Sequence, residues 1–193
     1  MLKDNVAIVV VLRLKATGGL LMVANPHMAW EPQYADVKAI QTAMLMEELE
    51  QIGRGSAIPT LICGDFNSLP DSGVYSFLST GSLPKDSPDF GGREYGPYTK
   101  HGAYHRFGLS SAYSAIGELP FTNYTGNFQG TIDYIWSTTS SLALLKLLGP
   151  VPEAYAKKTY GFPNPHFPSD HISLAAEFKL LSPTQRRNNH SRS

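Results

Sequence analysis

The sequence predicts an α/β fold, and three observations carry that prediction. Short runs of β-branched and other apolar residues recur along the chain. A stripe of apolar residues spaced by three and four runs between two of them. Polar, glycine-containing joints separate the runs. Strands alternating with helices define the α/β class.

In chain order, Val6–Leu14 and Leu20–Asn25 read as strands, and Gly18-Gly19 between them makes the pair a hairpin. From Tyr34 to Ile52 the residues Val37, Ile40, Met44, Leu45, Leu49 and Ile52 define one face of an amphipathic helix, closed by Gly53. Thr60–Cys63 is the next strand. A second helix starts near Asp71 as its N-cap and runs through Val74, Phe77 and Leu78 to Gly81. The polar, Gly/Pro-rich stretch Ser82–Gly102 reads as a long surface loop inside the domain. Ile132–Ser137 and Ile172–Phe178 are further strands, and Leu142–Leu148 fits a strand or a helix. Residues 1–180 are expected to form one domain. Residues 181–193 are expected to be a disordered tail, since proline is the only non-polar residue from Ser182 onward.

Composition narrows the class. With 193 residues and 42% hydrophobic content, one packed domain, or part of a larger one, is expected. Sixteen basic and sixteen acidic residues give zero formal charge. That argues against a chain that coats nucleic acid by charge, but not against a nucleic-acid enzyme whose charge is local. Val6–Leu12 is too short to span a bilayer, and no leader pattern precedes it, so no membrane association is expected. The single cysteine, Cys63, excludes an intramolecular disulfide and a multi-cysteine zinc site. It fits a reducing compartment and reads as a buried, inert thiol.

Four segments carry chemistry. Leu61-Ile62-Cys63-Gly64-Asp65-Phe66-Asn67-Ser68 ends a buried strand and then presents Asp65 and Asn67, which extended alternation would put on one face. A carboxylate there can hold a hard cation or take a proton from water, and an amide can orient a phosphoryl group. The alternative is a strand end with two turn-forming polar residues. Asp170-His171 precedes a strand, where a histidine can donate to a phosphate gaining charge, or simply face solvent in a capped loop. Asp133 is a lone acid in the apolar run Ile132–Trp136. Burying it needs a partner, and a histidine that it orients, His171, is the natural one. The alternative is an aspartate at a strand edge. His27 follows the carboxyl end of a strand, where open α/β sheets place ligands. Together these residues describe a carboxylate-rich, metal-dependent site for a phosphate ester.

The ordered set Asn25-x-His27, Gly64-Asp65-Phe66-Asn67-Ser68, Ile132-Asp133-Tyr134 and Ser169-Asp170-His171 resembles the endonuclease/exonuclease/phosphatase superfamily. Within it, Trp30-Glu31-Pro32, Asp36-Val37-Lys38, Ser110–Tyr113, Glu118–Tyr124 and Gly161–Asn164 are similar to the carbon catabolite repression type of general mRNA poly(A) deadenylase. The resemblance implies a partial four-layer αββα sandwich, the C-terminal half of such a catalytic domain. It implies a Mg2+-dependent 3′-to-5′ exoribonuclease that acts on poly(A) RNA, releases 5′-AMP and works with subunits of the general deadenylase complex in cytoplasm and nucleus.

By the same resemblance, Asp65 positions or activates the attacking water or binds metal, and Asn67 contacts the scissile phosphate. His171, held by Asp133, stabilises or protonates the phosphate. Asp170 supports the metal site, His27 touches the phosphate, and Pro32 and Phe128 select adenine. The family's essential metal-binding glutamate has no counterpart among the glutamates of this sequence. Two departures from the family pattern stand near His27: Ala29, where a second histidine is frequent, and Pro26, which is expected to displace His27. A half sandwich is expected to expose a sheet face and strand edges, favouring self-association. The residues also leave open another phosphoesterase of the superfamily, or a catalytically inactive RNA- or protein-binding fragment.

Overall fold

A computed structural model describes residues 5–53 and 58–182. The expected tail therefore lies, from residue 183 onward, outside the described residues. The strands are β1 (Ala7–Arg13), β2 (Leu20–Pro26), β3 (Thr60–Asp65), β4 (Ser82–Leu83), β5 (Ala103–Tyr104), β6 (Leu109–Ser111), β7 (Asn123–Tyr124), β8 (Gln129–Gly130), β9 (Asp133–Thr138), β10 (Leu142–Leu147) and β11 (Ala176–Leu180). The helices are α1 (Ala35–Gly53), α2 (Gly73–Thr80), α3 (Pro97–His101) and α4 (Glu153–Ala156).

The main sheet is mixed, in the order β1-β2-β3-β9-β6. β1 and β2 form the expected antiparallel hairpin, α1 crosses over, and β3 returns parallel to β2. β9 then runs antiparallel to β3, with Asp65 directly opposite Asp133. Alternation sends Met22, Ala24, Ile62, Tyr134 and Trp136 to the face covered by α1 and α2, where Met46, Leu49, Phe77 and Leu78 complete the core. Tyr75 packs edge-on against Trp136 and Tyr134, with ring centroids 4.9 and 5.4 Å away. Such ring pairs contribute about 0.5–1.5 kcal/mol each beyond area burial.

The opposite face is only partly covered. The antiparallel pair β10–β11 packs Leu144, Leu147, Ala176 and Phe178 with Ile135 of β9 around Tyr113. Toward β1 the same face carries Ile8, Val10 and Leu12, all exposed, with Ile8 at 64%. An apolar sheet face in water is the surface expected of a half sandwich.

The structure corrects several expectations. On α1, Val37, Leu45 and Leu49 are buried as expected, but Met44 and Ile52 are exposed, and Ala39, Ala43 and Met46 turn inward with the buried set. The N-cap of α2 is Ser72, whose Oγ accepts from the Tyr75 N–H at 3.2 Å, and not Asp71. The stretch 82–102 is no bare loop. It holds β4, a short 3-10 turn and α3, pinned by buried Leu83 and Phe90. The last strand begins at Ala176 instead of Ile172, because Ile172 N–H bonds the Thr122 carbonyl and Ala175 N–H bonds the Tyr113 hydroxyl. Leu142–Leu147 is a strand. Cys63 is partly buried, and burial pushes its thiol up to about 11, in keeping with an inert side chain. Among the described residues no helix is long and apolar enough to cross a membrane.

Candidate active site

The site gathers where β2, β3 and β9 end together. Asp65 closes β3 and Asp133 opens β9, so antiparallel register sets the two carboxylates across from each other. The start of β9 is fixed by buried Thr122, whose Oγ1 accepts from the N–H groups of Ile132 at 2.9 Å and Asp133 at 3.0 Å. His171 donates from Nδ1 to Asp133 Oδ2 at 2.8 Å. The backbone that carries it is held by the Ile172–Thr122 bond and a bridge to Asn123. His27 continues β2 past its last ladder pair, and its Nε2 lies 3.7 Å from Asp65 Oδ2.

Gly64 makes this junction possible. The Pro26 carbonyl passes so close that a Cβ on residue 64 would sit 2.1 Å from its oxygen. Only a residue without a side chain lets β2 and β3 converge here.

Asn67 reaches the site by a route other than strand alternation. Its φ of 47° is left-handed, a conformation that Asn tolerates better than most residues. Three bonds hold the turn. The Asn67 N–H donates to Asp65 Oδ1 at 2.8 Å, Asn67 Nδ2 donates to the Met28 carbonyl at 3.1 Å, and Lys38 Nζ donates to the Asn67 carbonyl at 2.8 Å. Lys38 is only 7% exposed. Burial lowers its pKa against the opposing pull of Asp89, Asp65 and Glu31. Sequence reasoning assigned no role to Lys38 or Thr122. The available signal for Lys38 was a lysine one residue after Val37 on the inward face of α1.

Electrostatics follow from this crowding. Burial first, then the facing Asp133 charge, raises the pKa of Asp65, partly offset by the Asn67 N–H and by His171 and His27. Burial disfavours the His171 imidazolium, but Asp133, Asp65 and Asp170 outweigh it, so its pKa is raised. The ligand atoms of Asp65, Asp133 and His171 all lie within 4.8 Å of one another. Two opposed carboxylates suit a hard divalent cation, which would relieve their repulsion. His171 Nδ1 is engaged with Asp133, so the carboxylate oxygens are the fitting donors. Asp170 stands apart from that group, where its Oδ2 accepts from Asn123 Nδ2 at 3.1 Å. It still lines the same 610 Å3 cavity as Asp65, Asn67, His27 and His171. Pro32 and Phe128 are on the wall of that cavity too.

A mixed α/β sheet with acid and histidine side chains at its strand ends defines a phosphoesterase-like class, and comparison with known proteins identifies it. Residues 5–171 match the Endonuclease/Exonuclease/phosphatase family, and the chain belongs to that family. It is 44% identical over 203 residues to the CCR4-Not complex 3'-5'-exoribonuclease subunit Ccr4 of Mycosarcoma maydis, and 46% identical over 203 residues to that of Schizosaccharomyces pombe. Each alignment covers 93% of this chain but only 30% and 29% of the relative. Among solved structures, ANGEL2, a 2',3'-cyclic phosphatase, in complex with adenosine-2',3'-vanadate is similar at 30% identity and a TM-score of 0.79. That match covers 92% of this chain and 62% of ANGEL2. The human Nocturnin catalytic domain with bound sulfate is similar at 25% identity and a TM-score of 0.67, over 93% of this chain and 54% of Nocturnin.

Proposed function

We propose that this chain is the C-terminal part of the catalytic domain of a magnesium-dependent 3′-to-5′ exoribonuclease. It shortens poly(A) RNA, releases 5′-AMP, and works with the other subunits of a CCR4-Not-type complex. The observation that carries this reading is the convergence of Asp65, His171, His27 and Asn67 on one cavity that Pro32 and Phe128 also line, with Asp133 grouped with Asp65 and bonded to His171. Similarity to Ccr4 exoribonuclease subunits over 93% of the chain supports the substrate class.

Each residue has a role its surroundings allow. The Asp65 carboxylate, made more basic by burial and by the facing Asp133, accepts a proton from the attacking water. His171 keeps Nε2 for the phosphoryl oxygen or the leaving group, because Nδ1 is bonded to Asp133. Its raised pKa holds a proton there. Asn67 spends one amide N–H on Met28 and keeps its second N–H and its side-chain oxygen for substrate. The carboxylates of Asp65 and Asp133 would hold a divalent cation, which would supply Lewis-acid polarisation of the phosphoryl group. Pro32 and Phe128 offer flat apolar surface to the terminal adenine.

A second reading, a phosphatase of the same family, is favoured by the likeness to ANGEL2. One experiment separates the two. The purified chain is incubated with 5′-labelled oligo(A) and, in parallel, with 2′,3′-cyclic AMP, in magnesium and in EDTA. A magnesium-dependent ladder shortened from the 3′ end, absent from an Asp65→Ala/His171→Ala double variant, supports the exoribonuclease. Opening of the cyclic phosphate without a ladder supports the phosphatase. RNA binding by a folded sample with neither reaction refutes catalysis by this chain.

A further inference from the structure

The two tryptophans of the chain are used in opposite ways. Trp136 is fully buried in the core, whereas Trp30 leaves 69% of its surface in water. Exposure of so large an apolar side chain forgoes on the order of the burial energy of any large core residue. A loose loop does not account for it. The backbone on which Trp30 stands is fixed by three neighbours in the chain. His27 N–H bonds the Val6 carbonyl at 3.2 Å, Met28 N–H bonds the Asp65 carbonyl at 2.9 Å, and Ala29 N–H bonds Gln41 Oε1 at 2.9 Å. Asn67 Nδ2 holds the Met28 carbonyl as well, and the Met28 and Ala29 side chains are buried. A segment hydrogen-bonded at three successive residues after β2 therefore presents a solvated indole.

Its position gives that exposure a use. Trp30 lines the same cavity as Asp65, Asn67, His171 and Phe128. An aromatic face at the rim of a phosphate-ester site is a surface on which any nucleobase can stack. We propose that Trp30 is the stacking platform for a second nucleobase, that of the nucleotide adjoining the terminal one, whose own base lies between Pro32 and Phe128. This rests on the poly(A) reading of the cavity and adds to it a second base-binding position, with preference for chains of two or more nucleotides over a mononucleotide. Stacking discriminates poorly among bases, so adenine selection stays with the terminal position.

The test compares a six-nucleotide oligo(A) with 5′-AMP, in EDTA to prevent turnover. Oligo(A) binding is read by anisotropy of a 5′ label and by tryptophan fluorescence, AMP binding by calorimetry. In the parent, oligo(A) quenches the emission of Trp30 and AMP does not. Trp30→Ala is expected to weaken oligo(A) binding about 10-fold, the low end for loss of one stacked base. AMP affinity stays within about 2-fold, and Trp30→Phe recovers most of the oligo(A) affinity. Tyr104→Ala removes an exposed aromatic of β5 outside the cavity and is the control. If the parent binds both ligands and Trp30→Ala binds oligo(A) as tightly, the platform is refuted while the nucleotide site stands. Failure of Trp30→Phe to restore binding, or an equal loss in Tyr104→Ala, also refutes it. A folded parent that binds neither ligand overturns the nucleotide reading itself, and the platform with it.

Discussion

Replacing Gly64 by alanine is expected to open the junction on which the site is built. The backbone at Gly64 is not left-handed, so conformation is no obstacle; space is. The new Cβ would lie 2.1 Å from the Pro26 carbonyl oxygen and 3.0 Å from Pro26 Cδ, where real Cβ contacts do not fall below 3.0 Å. The two chains must part by about 0.9 Å, and the obstructing atom is backbone, so no side chain can swing aside. Overpacking of this kind costs about 1–3 kcal/mol, and an unyielding neighbour places it near the upper end. In a chain of this size about 3 kcal/mol corresponds to a fall in Tm of roughly 6–12 °C. Thermal unfolding followed by far-UV circular dichroism measures it. Gly149→Ala is the control, since nothing lies within 4 Å of its Cβ, and it should stay within about 1 kcal/mol of the parent. The Met28 amide, bonded to the Asp65 carbonyl at 2.9 Å across the same junction, should exchange faster in Gly64→Ala. A Tm within about 2 °C of the parent, with unchanged Met28 exchange, would refute the reasoning.

Further outcomes follow from the same geometry. Lys38→Met keeps the aliphatic stem but removes the donor to the Asn67 carbonyl. The Asn67 amide should then exchange about 10-fold faster by NMR, as expected for loss of one charge-assisted hydrogen bond, and unchanged exchange would count against the clamp. The Asp133–His171 pair favours the imidazolium, so its contribution is complete below the ordinary histidine value of about 6.5 and is lost as pH rises through the raised folded value. The Tm deficit of Asp133→Asn in EDTA should therefore be larger at pH 6 than at pH 9, and a deficit that grows with pH would contradict the pairing. Magnesium at ten times its Kd should stabilise the chain by about 1.4 kcal/mol, a Tm rise of roughly 3–6 °C, and Asp65→Ala should abolish the rise. Absence of that shift in the parent would speak against a cation between Asp65 and Asp133.

Much of the chain was legible because local chemistry decided it. The β1–β2 hairpin was written in two apolar runs around Gly18-Gly19, and α1 in its three-and-four spacing. The pairing of Asp133 with His171 was legible from one charge in an apolar strand, since a buried carboxylate needs a donor. On α1 the inward positions Val37, Leu45 and Leu49 were legible, but the inward turn of Ala39, Ala43 and Met46 in place of Met44 and Ile52 was not, because it depends on how the helix seats on the sheet. The last strand shifted because the hydrogen bonds that retain Ile172 and Ala175 come from residues 50 and more positions away.

The sequence by itself determined the identities and order of the polar groups: a carboxylate at the end of β3, a carboxylate opening β9, a histidine after one strand-like run and a histidine before another. Register and close approach belonged to the tertiary structure. Antiparallel pairing put Asp65 opposite Asp133, Gly64 let Pro26 pass and bring His27 alongside, and Lys38 and Met28 locked the left-handed turn at Asn67. Those relations join residues up to 68 positions apart, as with Asp65 and Asp133. No local preference encodes them, because each depends on how two separately folded segments meet.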